Sequence, residues 1–401
     1  MFYDEQDLGV KYSKKHSTFK LWAPTATEVD LVLYEESGER IFSLVRSNRG
    51  IWEQIVEGDL DETAYMYRVR VDGLWREAVD PYAKAVTLNG EKGVVVNLKE
   101  TNPKDWIKNE KPVLKQMTDA IIYEVNIRDF SIDENSGITH KGKYKGLIEK
   151  STKGPWETIT GLDYLVDLGV THIQLLPIQD FGSVDETKQF ESYNWGYDTI
   201  HYNAVEGSYS LDPANPKARI MELKEVIQTY HQSGLRVIFD VVYNHVYIHE
   251  KSNLEKIVPG YYFRYNLDGS LANGTGVGND IASERKMVRK LIVDSVTYFA
   301  KEYQTDGFRF DLMGILDIET MKQIRMNLSE LDSSILVIGE GWDLDTALAG
   351  DRKATIVNSN HLSGIGYFND KFRDTLKGSI FNQELKGFCN GNWHLKEDLK
   401  C

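Results

Sequence analysis

The chain has 401 residues, of which 41% are hydrophobic and 27% charged, and 61 acidic against 47 basic residues give a formal net charge of −14. This length accommodates two or three domains, and the acidic balance argues against a nucleic-acid partner, because cations must neutralise phosphates. No stretch approaches the roughly 18 apolar residues of a membrane span. The start of the chain has no basic and no apolar segment of a signal peptide. We therefore predict a cytoplasmic location, unless a processed leader is missing from the sequence.

Residues 1–105 have the pattern of short β-strands separated by turns. The strand candidates alternate apolar and polar side chains or are rich in valine, and they are 19–22, 29–33, 65–71 and 94–96. Asp72-Gly73 is a hairpin-turn pair directly after the third of them. This pattern predicts a small β-sandwich, followed by a linker over 102–112.

From about residue 119, apolar runs alternate with segments of helical period. The strand candidates are 121–125, 173–178, 237–242, 308–311 and 335–338, with 364–368 as a sixth. The helix faces between them are Ile159, Leu162, Leu165 and Val166; Ile220, Leu223, Ile227 and Tyr230; Val288, Leu291, Ile292, Val296 and Phe299; and Met321, Ile324 and Leu328. Alternating strands and helices imply a parallel sheet with helical crossovers. We predict a TIM (β/α)8 barrel over 106–401 that is incomplete, because insertions over 181–209 and 246–284 leave no room for a seventh and eighth strand.

Two carboxylates end successive strands of the predicted barrel, where active sites lie in this architecture. Asp311 ends one strand and Glu340 ends the next. One such carboxylate is usually a capping or exposed residue, but a pair supplies the nucleophile and the acid/base that retaining glycoside cleavage needs about 5–5.5 Å apart. Arg309 lies on the same strand face as Asp311 and would keep it ionised. Burial beside Trp342 would raise the pKa of Glu340 for proton donation.

Other polar and aromatic residues surround this pair in the sequence. Asp240 and His245 close the third strand, and an Asn-His pair there has no second ligand at a zinc spacing, so we predict hydrogen bonds to sugar hydroxyls rather than a metal. The turn 193–198 reads Tyr-Asn-Trp-Gly-Tyr-Asp. It is either a packed loop corner or a sugar platform, in which Tyr197 and Trp195 contact substrate.

Three segments resemble the signature regions of the α-amylase superfamily, glycoside hydrolase family 13. They are Asp240-Val241-Val242-Tyr243-Asn244-His245, Gly307-Phe308-Arg309-Phe310-Asp311 and Gly339-Glu340-Gly341-Trp342, in this order. The turn 193–198 is similar to the signature of type I pullulanases, although Thr199 stands where that family usually has Pro. Segment 368–374 also looks pullulanase-like. These segments speak against an isoamylase, a branching enzyme or an amylase.

The resemblance implies a carbohydrate-binding module of family 48 over 1–105, carried by similar segments at 19–33 and 80–83, and a catalytic domain over 106–401. The expected activity is hydrolysis of α-1,6 branch linkages in pullulan, glycogen or limit dextrins, with an α-glucan as partner. Asp311 would be the nucleophile and Glu340 the acid/base. The implied substrate-binding residues are Arg309, Tyr197, Asp240, His245, Trp195 and Trp342. No cofactor is required, and the family allows a structural calcium ion, but no ligand cluster is recognisable in the sequence.

The third carboxylate of the superfamily is missing from the sequence. It follows a His on the seventh strand, whereas His361 and His394, the only His residues after Glu340, are each followed by Leu. We therefore predict a C-terminally truncated chain. Two hypotheses follow: a debranching glycosidase, or a catalytically inactive fragment that binds α-glucan through its first domain.

Overall fold

A computed structural model of the protein describes residues 1–399, so Cys401 lies outside the described residues. The strands are β1 Gly9–Tyr12, β2 His16–Trp22, β3 Glu28–Glu35, β4 Gly38–Ser43, β5 Val45–Arg46, β6 Ile51–Glu57, β7 Ala64–Val71, β8 Leu74–Ala78, β9 Gly93–Val94, β10 Ile122–Val125, β11 His172–Leu175, β12 Gln179–Phe181, β13 Thr199–Val205, β14 Arg236–Val241, β15 Gly307–Phe310, β16 Leu336–Gly339 and β17 Gly366–Tyr367. The helices are α1 Gly161–Asp167, α2 Pro216–Gln232, α3 Asn253–Ile257, α4 Lys286–Glu302, α5 Ile318–Leu331 and α6 Asp370–Lys377.

The N-terminal part is a sandwich of two antiparallel sheets, as predicted. Their strand orders are β1-β2-β6-β5 and β4-β3-β7-β8, and β9 adds to β7. Buried and half-buried residues alternate along β7, because one face of the strand packs on the core. Asp72 and Gly73 both have left-handed backbone conformations, with φ of 52° and 78°, and join β7 to β8 in a tight hairpin. The valine-rich run forms a strand only at Gly93–Val94, which is shorter than predicted.

The second part is an open parallel sheet with the strand order β10-β11-β14-β15-β16-β17. All six predicted strands are present, and their sequential order is that of an incomplete TIM barrel. Every residue of β14 is buried, as expected for a strand covered on both faces. Among residues 1–399 no further strand joins this sheet, so β10 and β17 remain its edges.

The helix faces predicted for α2, α4 and α5 are buried, but the one predicted for α1 is partly wrong. Leu162 and Leu165 are fully buried, whereas Ile159 is 49% and Val166 46% exposed. The helix has only seven residues and begins at Gly161, so Ile159 precedes it. A two-turn helix presents one narrow apolar stripe to the sheet, and Val166 lies outside it.

The two parts share one hydrophobic core. The ring of Trp22 in β2 lies 4.9 Å from that of Tyr261, in the insertion after β14. The segment predicted as a linker is itself packed, since Trp106 is only 5% exposed. The insertion after β11 contains the antiparallel pair β12 and β13, which carries the 193–198 turn between its strands. Within residues 1–399, none of the helices has the length and apolar character needed to cross a membrane.

Candidate active site

The register of the parallel strands places the predicted site residues side by side. Asp240 on β14 pairs with Arg309 on β15, and Arg309 pairs with Ile338 on β16. Side chains alternate faces along a strand, so residues two positions apart share a face. Asp311 lies two residues after Arg309, and Glu340 lies two residues after Ile338, so both share the face of Arg309. The four polar side chains therefore meet at the carboxyl ends of β14, β15 and β16, where barrel active sites lie.

The guanidinium of Arg309 bonds to all three carboxylates of this group. Its Nη1 donates to Asp240 Oδ1 at 2.9 Å and to Asp311 Oδ1 at 3.0 Å, and its Nη2 lies 2.7 Å from Glu340 Oε1. Burial alone would lower the pKa of Arg309, but the surrounding carboxylates, Asp240 above all, raise it. The cation is thus permanent, and it is the electrostatic centre of the site.

Asp240 is fully buried, and burial raises its pKa to about 8. The charge of Arg309 acts against this rise, and the charge of Asp311 adds to it. Tyr197 donates its hydroxyl to Asp240 Oδ2 at 2.7 Å. The same tyrosine ring lies 5.6 Å from the guanidinium carbon of Arg309, within the range of a cation–π contact. Two sequence-predicted residues, Asp240 and Tyr197, are therefore joined directly to Arg309.

Asp311 is held by a residue that the sequence analysis did not count among the site residues. Asn244 donates through Nδ2 to Asp311 Oδ2 at 2.7 Å and to the Asp311 backbone carbonyl at 2.6 Å. Its amide is fully buried. Together with Arg309 it gives the carboxylate charge-assisted donors on both oxygens, which fix its orientation. Asn244 could have been assigned from the sequence, because it directly precedes the predicted site residue His245.

Glu340 is bound by the loop that follows β15. Its Oε2 accepts a hydrogen bond from the backbone N–H of Leu312 at 3.1 Å. Leu312 has φ of +39°, a left-handed conformation that costs a side chain with a Cβ about 1–2 kcal/mol. Strain of this kind collects at functional sites, where the surroundings must hold it. The sequence gives no signal for it, since nothing but the fold requires leucine to adopt this backbone.

Trp342 follows Glu340 by two residues, in the loop after β16. Its backbone carbonyl oxygen comes so close to Gly314, in the loop after β15, that an added Cβ there would lie 1.9 Å from it. The two loops therefore approach each other directly beside Glu340. The roles predicted for Trp342, in shielding the acid group and in binding substrate, stay predictions.

The remaining predicted residues divide between this cluster and its rim. His245 bonds through Nε2 to the Tyr197 carbonyl oxygen at 2.7 Å, and burial lowers the pKa of its imidazole. Trp195 lies apart and is 57% exposed, donating to the Tyr193 hydroxyl at 2.6 Å. It lines a cavity of about 430 Å³ together with Tyr197. Phe368, which sequence reasoning did not assign, places its ring 5.6 Å from the Arg309 guanidinium carbon.

Comparisons with known proteins agree with this geometry. Residues 7–83 match the family model of carbohydrate-binding module 48 (isoamylase N-terminal domain), and residues 100–257 match the alpha amylase catalytic domain. A pullulanase of Bacillus subtilis is 48% identical over 392 residues, which are 98% of this chain and 54% of that protein. Over nearly its whole length, the chain is thus similar to pullulanases.

Solved pullulanases have the same fold as this chain. The pullulanase of Anoxybacillus sp. LM18-11 complexed with maltotetraose superimposes with a TM-score of 0.96 at 54% identity, over 99% of this chain and 58% of that one. The Paenibacillus barengoltzii pullulanase, complexed with maltohexaose and alpha-cyclodextrin, gives 0.95 at 51% identity, over 96% of this chain and 61% of that one. The chain thus spans little more than half the length of the pullulanases it matches.

A cluster of three buried carboxylates lies away from this pullulanase-like site. Asp180, Glu186 and Glu206 have oxygens within 4.8 Å of one another. Oxygen donors of this kind suit a calcium ion, and the sequence alone gave no sign that these three residues come together. Arg219 already supplies a positive charge, donating to Glu186 at 2.9 Å and 2.8 Å and to Asp180 at 3.4 Å. Because this guanidinium is bonded to two of the three acids, a bound metal ion does not fit the cluster. The proposed reaction therefore does not use a metal ion.

Proposed function

We propose that this chain carries the catalytic pair of an α-1,6-glucan debranching hydrolase, with Asp311 as nucleophile and Glu340 as acid/base. One observation supports this most strongly: Arg309 bonds at once to Asp240, Asp311 and Glu340 at the ends of successive strands. We assign the glucan-binding module to residues 1–105 and the catalytic domain to 106–401.

The proposed reaction is a double displacement with retention. A carboxylate oxygen of Asp311 attacks the anomeric carbon, while Glu340 gives its proton to the departing glycosidic oxygen. Water then attacks the same carbon, Glu340 takes the proton from that water, and Asp311 is released as a carboxylate. Arg309 and Asn244 hold Asp311 in a fixed orientation between turnovers, because both donate to it.

An α-glucan is the proposed substrate. The solved relatives of similar fold are complexed with maltotetraose and with maltohexaose. The rings of Tyr197 and Trp195 line a cavity of about 430 Å³ beside Arg309, and aromatic faces suit the C–H faces of sugars. His245 and Asp240 are the proposed hydrogen-bond partners of the sugar in the cleaved position.

A second candidate function is glucan binding without hydrolysis. One feature favours it: residues 7–83 match the model of carbohydrate-binding module 48, so binding of α-glucan would not depend on the catalytic pair. In this case the module over 1–105 would be the part that still recognises α-glucan.

Hydrolysis of pullulan by the purified 401-residue chain tests both proposals. Release of maltotriose that is lost in Glu340→Gln would support the debranching function. Glu330→Gln is the matched control, because this glutamate is exposed on α5, the helix that precedes β16, and is not among the residues bonded to Arg309. A folded chain that binds pullulan without cleaving it would overturn the hydrolase assignment and favour the binding function.

A further inference from the structure

A separate cleft lies where the sandwich meets the carboxyl-terminal end of α4. It has a volume of about 450 Å³, and its walls include Lys11 and Tyr12 of β1 and Glu302 of α4. Because α4 leads into the start of β15, this cleft lies at the amino ends of the parallel strands, whereas Asp311 lies at their carboxyl ends. The cleft is therefore not part of the candidate active site.

Lys84 lines this cleft and forms no ion pair or hydrogen bond within residues 1–399. Its ammonium lies 5.1 Å from the centre of the Tyr298 ring. The acids nearby are already engaged: Glu302 pairs with Lys224 at 2.5 Å, and Asp80 accepts from the Tyr65 hydroxyl at 2.9 Å. Burial lowers the pKa of Lys84, and the charges of Glu302 and Asp80 only partly oppose this shift. An ammonium taken from water without a partner is costly, so an anion beside it would be strongly favoured.

Two more lysines and three aromatic rings complete the wall. Lys11 and Lys99 line the same cleft, and neither forms an ion pair within the described part of the chain. The three rings are those of Tyr12, Tyr65 and Tyr82. Their hydroxyls donate to Asp59, Asp80 and Asp294 respectively. Tyr65 is only 1% exposed, so Tyr12 and Tyr82 are the rings that offer the cleft their carbon faces. Glu302, the acid in the wall, pairs with Lys224, so the three lysines leave the cleft with an excess of positive charge.

We infer that this cleft binds an anionic sugar of the hexose phosphate class. A hexose ring would lie on the rings of Tyr12 and Tyr82, whose faces suit its C–H groups. The phosphate would lie among Lys84, Lys11 and Lys99, whose ammonium groups act as point-charge partners. The volume is within the range of small-ligand sites and leaves room for one or two sugar rings. This inference does not depend on the proposed hydrolysis, since it concerns a different site.

Isothermal titration calorimetry of the 401-residue chain with glucose 6-phosphate tests the inference, with glucose and inorganic phosphate as comparison ligands. We expect glucose 6-phosphate to bind more tightly than either comparison ligand. Lys84→Met should weaken it by about tenfold or more, because a charge-assisted contact is lost. Lys84→Arg should retain binding, since it keeps the charge. Lys115→Met is the matched control, as this lysine is exposed and outside the cleft.

The thermal midpoint of each variant, followed by circular dichroism, separates loss of binding from loss of folding. Removing an unpaired half-buried charge should leave the midpoint of Lys84→Met unchanged or higher. Three results would overturn the inference: no heat of binding with glucose 6-phosphate, equal affinity for glucose, or equal affinity in Lys84→Met. If Lys84→Met does not fold, loss of binding has to appear instead in Lys11→Met and Lys99→Met, and unchanged binding in both would also overturn it.

Discussion

Arg309 and Asp240 occupy paired positions on neighbouring parallel strands, and their side chains meet at 2.9 Å between Nη1 and Oδ1. Both are buried, at 5% and 0% exposure. The contact links β14, the third strand of the sheet, to β15, the strand that leads into Asp311. Any substitution at either position therefore changes the fold and the site together, and the two effects have to be measured separately.

Arg309→Met should destabilise the protein by about 3–5 kcal/mol, because it leaves buried carboxylates without their cation. Arg70→Met is the matched control: its partner Glu28 is half exposed on the sandwich, and such pairs contribute about 1 kcal/mol or less. Urea unfolding followed by circular dichroism measures both losses of free energy. Equal losses would show that the three-carboxylate contact of Arg309 does not hold the barrel strands together.

Asp240→Asn should change how stability depends on pH. Folding raises the pKa of Asp240 from 3.8 to about 8, so the folded state binds more protons than the unfolded state between these values. The contribution of Asp240 to the free energy of unfolding is therefore complete below about pH 4. It is lost as the pH rises through 8, by about 1.4 kcal/mol per pH unit at the steepest.

The measurement is the free energy of unfolding of the wild type minus that of Asp240→Asn, from pH 4 to 9. This difference should fall with rising pH, since asparagine keeps the shape but cannot ionise. Arg309, Asp311 and Tyr197 face the group in both proteins, so the pH dependence that comes from the rest of the molecule largely cancels in the difference. A flat difference would mean that Asp240 is ionised throughout, with Arg309 outweighing its burial.

The fold was predictable because local signals and tertiary packing agree. The strands β14, β15 and β16 are short apolar runs that end in polar residues, and α2 and α4 have unbroken apolar faces. The prediction failed where the length of an element decides which residues are buried or paired. Helix α1 is too short to include Ile159, and the valine-rich run pairs with β7 only at Gly93 and Val94. Sequence periodicity does not reveal how many residues find a partner strand.

The site was predictable only to the extent that strand register determines it. Asp240, Arg309, Asp311 and Glu340 lie together because a period of two and parallel pairing leave no other arrangement. The donor Asn244, the left-handed Leu312 and the ring of Phe368 depend on loop paths that no pattern describes. The catalytic roles, the domain boundary and the cytoplasmic location stay predictions.

Gly314→Ala should disturb the loop that carries the Leu312 N–H. A Cβ at position 314 would lie 1.9 Å from the Trp342 carbonyl oxygen, which is part of the backbone and cannot rotate away. The loops after β15 and β16 would have to separate, and Glu340 would lose its hydrogen bond from Leu312. We expect a clearly lower thermal midpoint and loss of any pullulan cleavage.

Gly350→Ala is the control for this substitution, because nothing lies within 4 Å of its added Cβ. Its thermal midpoint and activity should match those of the wild type. If Gly314→Ala behaved like Gly350→Ala, the close approach of the two loops would not be needed for folding or for placing Glu340.

Arg219→Gln should destabilise the protein far more than removal of divalent metal does. Arg219 is fully buried and bonds to Glu186 and Asp180, and burial raises the pKa of Asp180 well above its usual value and that of Glu206 to about 7. Without the guanidinium, three acids face one another with no compensating charge. A loss of about 3–5 kcal/mol corresponds to a drop of roughly 10 °C or more in thermal midpoint.

Differential scanning calorimetry with EDTA and with calcium shows whether Arg219 or a metal ion balances the charge of these carboxylates. The wild type should keep its thermal midpoint in both, because Arg219 already supplies the charge. Calcium should partly restore Arg219→Gln, since the three carboxylates then have the oxygen ligands the ion prefers. Arg373→Gln, in a pair on α6 that is about one-third exposed, should respond to neither. A wild-type midpoint that falls in EDTA would contradict this assignment and make the cluster a metal site despite Arg219.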